Sequence, residues 1–76
     1  MKQKQIRLTT INDAMEFVKR ASRCDFDIDV FYNRVVIDAK SLLGVLSLDL
    51  TRVLTVSMNG RDAEFENYLD ELKSAA

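Results

Sequence analysis

Between residues 25 and 32 the sequence DFDIDVFY alternates apolar and acidic side chains, with Phe26, Ile28, Val30 and Tyr32 on one side and Asp25, Asp27, Asp29 and Phe31 on the other. A period of two over eight residues fits only a half-buried strand, with one face on a core and the other in water. This segment constrains the fold more than any other, because a sheet wetted on one face needs helices to cover the opposite face. Asn33 and Arg34 form a turn, and VVIDA returns as the second arm of a hairpin with Val35 and Ile37 expected inward.

The remaining chain supplies the covering helices and two more strands. KQIRLTT reads as a strand with Ile6 and Leu8 inward. INDAMEFVKRASR places Ile11, Ala14, Met15, Val18 and Ala21 on one helical stripe, with Asn12 or Asp13 serving the amides of the first turn. TRVLTVSM is a strand with Leu54, Val56 and Met58 inward and Thr55 and Ser57 outward, broken by Asn59 and Gly60. RDAEFENYLDELK is a helix with Phe65, Tyr68, Leu69 and Leu72 at spacings of three and four and acidic Asp62 and Glu64 at its start. The expected order is βαββαβα. It describes an α+β open-faced sandwich over 1-76, a four-stranded antiparallel sheet with three helices on one face.

The segment KSLLGVLSLDL, residues 40 to 50, fits that scheme least comfortably. Ser41 is a good N-cap for a helix of about two turns, yet five of the seven residues from Leu42 to Leu48 are apolar. If Val45 and Leu48 face the sheet, Leu42, Leu43 and Leu46 around Gly44 stay partly outside and form a docking patch. The competing expectation is that a small fold bends this helix until most of it is core.

Composition excludes several chemistries. Eleven Lys and Arg against twelve Asp and Glu give a net charge of -1, so no basic surplus draws nucleic acid or anionic lipid. The chain has no histidine, which closes histidine general-base chemistry, histidine-activated nucleophiles, phosphohistidine and histidine metal ligation. One cysteine, Cys24, forms no internal disulfide and suits a reducing, cytoplasmic setting. MKQKQIRLTT lacks the apolar core of a signal peptide, and no run approaches membrane-spanning length. Asp25, Asp27 and Asp29 are spaced too widely along a flat face to enclose one ion, so no metal and no cofactor are expected. Arg20, Arg23, Arg34 and Arg52 are matched by acidic neighbours and read as solvated charge. No constellation of converging polar groups marks a catalyst.

YNRVVIDAKSLLGVLSLDL resembles the region of the bacterial phosphocarrier HPr family that runs from the turn between its second and third strands through the regulatory serine and its short helix, most closely at Lys40, Ser41, Gly44, Val45, Ser47 and Leu48. ASRCDFDIDVFYN and TVSMNGRD are similar to further parts of the family, so the resemblance covers essentially the whole chain. It implies that the Ser41 helix docks partner proteins, through Lys40, Leu42, Leu43, Gly44, Leu46 and Ser47. It also implies that Ser41 is a phosphorylation site for an HPr kinase/phosphorylase and that a transcriptional regulator is a partner of the modified form. Family members carry a Gly-x-His-Ala-Arg-Pro-like motif where the first strand meets the first helix, and its histidine relays a phosphoryl group between proteins of the sugar phosphotransferase system. Here Leu8 leads through TTIND into the helix, several residues shorter, and neither Thr10 nor Asn12 forms a phosphoramidate. The loop after the short helix is also about two residues shorter than the family pattern. Relatives that lack the histidine and keep the serine act as regulators only. The expectation is therefore a regulatory or adaptor protein working through the Ser41 helix. The alternative is a phosphorylation-independent binding module, or a homodimer that buries Leu42, Leu43 and Leu46.

Overall fold

The computed structural model describes residues 2–73 and contains seven elements: β1 (Lys2–Ile6), α1 (Ile11–Ser22), β2 (Ile28–Tyr32), β3 (Val35–Asp38), α2 (Leu42–Leu46), β4 (Leu54–Met58) and α3 (Ala63–Glu71). The order is the expected βαββαβα. All strands pair antiparallel in one sheet of order β1-β4-β2-β3, so β4 lies in the middle and β1 and β3 are the edges.

Alternation along the strands sorts side chains onto two faces. Ile6, Ile28, Val30, Leu54, Val56 and Met58 are buried, and the helices cover them with Ala14, Phe17, Val18 and Ala21 of α1, Val45 of α2, and Phe65, Tyr68 and Leu69 of α3. The opposite face carries Gln3, Gln5, Asp29, Phe31, Thr55 and Val36, in rows fixed by the register Gln3–Ser57–Asp29 and Gln5–Thr55–Phe31–Val36. Ser57 points to this wet face as expected but is buried, because β4 is central and its neighbours on β1 and β2 close over it. Two ion pairs fasten β1 to α3: Lys4 Nζ lies 2.7 Å from Asp70 Oδ1, and Lys2 Nζ lies 3.8 Å from Glu66 Oε1. Among the described residues, no helix is long and apolar enough to cross a membrane.

Several expectations are corrected. The buried stripe of α1 is Ala14, Phe17, Val18 and Ala21, whereas Ile11 and Met15 are exposed at 63% and 49%. Both stripes satisfy helical spacing. The larger ring of Phe17 takes the core, where it lies 6.2 Å from Phe65 between ring centroids, and the helix turns Ile11 and Met15 outward. The N-cap of α1 is Thr10 rather than Asn12 or Asp13: its Oγ1 accepts from the Asp13 amide at 3.0 Å, and Asp13 Oδ2 accepts from the Thr9 amide and hydroxyl. Of the three aspartates, only Asp29 lies within β2, since the strand begins at Ile28. Val35 is exposed and Ile37 only partly buried, because β3 is an edge with a neighbour on one side. β1 ends at Ile6, although Leu8 beyond it is fully buried. Finally, α2 is five residues long, shorter than the two turns expected.

Candidate functional site

The site is built around α2. Ser41 is in extended conformation and its Oγ accepts from the Gly44 amide at 3.1 Å, while Ser47 Oγ donates to the Gly44 carbonyl at 2.6 Å. Two serines thus close the two ends of a helix too short to hold itself together, a role local side-chain bonds perform well. Val45 and Leu48 are buried against the sheet. Leu42 and Leu46 are each 37% exposed and Leu43 is 84% exposed. The leucines are outside, and the helix is not bent into the core.

Gly44 is a packing device. A Cβ there would lie 2.6 Å from Ile37 Cγ2 and 3.1 Å from Ser41 Oγ, so α2 sits close on β3 only because this side chain is missing. Lys40 is occupied within the fold. Its amide donates to Asp38 Oδ1 at 2.9 Å, and its ammonium donates to the Cys24 carbonyl at 2.8 Å, tying the turn before α2 to the chain just after α1. Lys40, expected among the partner-docking residues, is therefore anchored toward residue 24.

α1 packs beside α2, and its outward Ile11 and Met15 add to the apolar side chains that the helical layer shows to solvent. Sequence periodicity alone could not find these two, since it assigned them to the core. Their signal lies in the loop before them: Thr10-x-x-Asp13 is a helix-start pattern that makes Ile11 the first helical residue, where the stripe is only beginning. In the first turn of α1 the Asp13 carboxyl is held below the usual aspartate range, chiefly by the Thr9 hydroxyl and then by the Thr9 amide. It is a closed, anionic turn.

The other candidates stay apart. Cys24 is buried, and burial, with Asp62 adding to it, pushes its thiol up, away from nucleophilic character. Arg20 and Arg23 line a cavity of about 80 Å³ with Cys24, but Asp62 and Glu64 share its wall. Arg20 Nε donates to Glu16 Oε2 at 2.7 Å and its guanidinium stacks 4.4 Å over the Tyr68 ring. Arg52 pairs with Asp49 at 3.3 Å. No anion-binding edge forms from these arginines, and no group of three or more acidic or thiol side chains among the described residues could hold a metal ion. Burial pushes the Tyr68 hydroxyl up to about 12, with Glu16 adding to it, which marks a core tyrosine.

Comparison with known proteins places this geometry. Residues 10–76 match the family model described as the PTS HPr component phosphorylation site. Among solved structures, HPr-C-His from Thermoanaerobacter tengcongensis is 28% identical, with a TM-score of 0.78 over 95% of this chain and 90% of that one. A phosphocarrier protein HPr from Bacillus anthracis str. Ames is 25% identical, with a TM-score of 0.72 over 96% of each chain. No curated protein matches the sequence.

Proposed function

The chain belongs to the HPr family of the sugar phosphotransferase system, and from that premise we propose that it is a regulatory or adaptor member that works through the Ser41 helix. HPr proteins carry a phosphoryl group for other proteins and are not themselves catalysts. The family's carrier chemistry needs an imidazole nitrogen, and this chain has no histidine. Nothing between Thr9 and Asp13 replaces it: Thr9 and Thr10 serve the start of α1, and Asp13 is engaged by Thr9.

The observation that carries the proposal is the pairing of that missing imidazole with an intact α2. A five-residue helix capped by Ser41 and Ser47 holds Leu42, Leu43 and Leu46 toward solvent. Exposed apolar side chains cost solubility without adding to the core, so their retention supports a docking role. Ser41 is the switch in this reading. A phosphate on its oxygen would replace the hydroxyl that caps Gly44 with a dianion beside the free amides of the helix start. The partners are those of the family, an HPr kinase/phosphorylase and a transcriptional regulator, acting in the cytoplasm.

Titration calorimetry with a purified HPr kinase/phosphorylase tests the docking claim. Native protein is expected to bind and Leu43→Asp to lose binding while keeping its circular dichroism spectrum; equal binding by both would remove α2 as the docking surface.

A further inference from the structure

We propose that the exposed edge of β3 pairs with the same edge of a second copy, joining two sheets into one. Among the described residues, β3 has β2 on one side and no strand on the other. The Ala39 amide donates to the Ile28 carbonyl at 2.9 Å, which makes 28/39 a hydrogen-bonded pair of this hairpin. Antiparallel ladders alternate, so with the observed register Ile37 and Val35 also turn their backbone groups toward β2. Val36 is left with both of its backbone groups pointing away from the sheet, and Asp38 with its amide, since the Asp38 carbonyl accepts from the Ser41 amide at 3.0 Å.

The turn residue Arg34 and the strand β3 that follows it read Arg34-Val35-Val36-Ile37-Asp38: basic, three apolar, acidic. Run antiparallel against itself about Val36, this segment is self-complementary, as a twofold interface requires. Val36 meets Val36 of the second copy as a hydrogen-bonded pair, Val35 meets Ile37, and each Arg34 side chain lies opposite an Asp38 carboxylate, whose Oδ1 is held by the Lys40 amide and whose second oxygen faces the arginine. Opposite charges and β-branched pairs directly across strands are the favourable combinations. Val36 is 60% exposed and Val35 is also exposed, so apolar area is available to bury.

The other edge makes the contrast. β1 reads Lys-Gln-Lys-Gln-Ile with no acidic residue, and edge lysines are a common defence against strand addition. β3 has no such guard at its centre.

Sedimentation velocity and equilibrium on the full chain, from micromolar to near-millimolar protein, test the proposal. The expected result is a concentration-dependent rise from the monomer's 8.7 kDa toward twice that mass. It should be lost in Val36→Lys, which places two cations at the twofold, and in Arg34→Asp, which sets two carboxylates against each other at each end of the pairing. The double variant Arg34→Asp/Asp38→Arg should recover the dimer, since the charges then oppose each other again. A chain that stays monomeric throughout overturns the proposal. So does a dimer that survives Val36→Lys and disappears in Leu46→Asp, which would assign the contact to the α2 leucines, and so does failure of the double variant to recover.

Discussion

Gly44→Ala is the most informative single substitution, because one methyl group tests how α2 is seated. The new Cβ would stand 2.6 Å from Ile37 Cγ2 and 3.1 Å from Ser41 Oγ. Ile37 can yield only by rotating about a χ1 that β-branching makes stiff, and moving Ser41 Oγ weakens the 3.1 Å cap to the Gly44 amide. Overpacking of this kind costs about 1–3 kcal/mol. Against it stands the gain of alanine over glycine in a helix, at most about 1 kcal/mol. The steric term wins, and a net loss of about 1–2 kcal/mol lowers the melting temperature of a domain this size by about 5–15 °C. Thermal unfolding followed by circular dichroism measures it, with Leu43→Asp as the comparison; Leu43 touches solvent over most of its surface, so that variant should melt within a few degrees of the native protein. A Gly44→Ala variant as stable as native or more so would refute the close seating of α2 on β3, and with it the account of why the leucines face outward.

Further outcomes follow from the same geometry. Ser41→Ala should lose about 1 kcal/mol in urea unfolding, the usual worth of an N-cap, since the Gly44 amide then has no side-chain partner. Cys24, with its folded pKa raised, should resist iodoacetamide at mildly alkaline pH in the native state and react promptly in denaturant. The sign of its linkage follows: the folded state holds the thiol proton more tightly, so its contribution is complete below the unfolded pKa and falls as pH rises past it. The carboxylates behave oppositely. Asp13, held down first by the Thr9 hydroxyl, and Asp70, held down first by Lys4, have lowered folded pKa values, so the stability they add is present above the unfolded carboxylate range and is lost as pH falls through the folded values. Urea midpoints taken between about pH 5 and pH 3 should therefore drop, and the Asp13→Ala variant should show a shallower decline.

Most of the fold was legible because binary patterning and strand alternation carry it. The alternation to Tyr32 announced a half-buried strand, which forms from Ile28 onward; Val45 and Leu48 were assigned to the core, and Leu42, Leu43 and Leu46 to the surface, and each sits there. What the pattern could not resolve was a choice between two stripes on α1 that obey the same spacing. Phe17 took the core by volume, and Ile11 and Met15 were displaced to the surface. Strand order was equally hidden: that β4 is central explains the burial of Ser57, and that β3 is an edge explains the exposure of Val35, but neither follows from local alternation. The anchoring of Lys40 on the Cys24 carbonyl joins residues sixteen apart and has no local signal at all.

The proposed regulatory role rests on Ser41 being a phosphorylation site in an HPr-family chain that has no histidine. The most direct measurement is intact mass after incubation with ATP and an HPr kinase/phosphorylase, with Ser41→Ala and an ordinary HPr alongside. The account predicts one added phosphoryl group on the native protein and none on Ser41→Ala. An unchanged native mass, while the ordinary HPr is fully modified, would contradict it and leave Ser41 a helix cap.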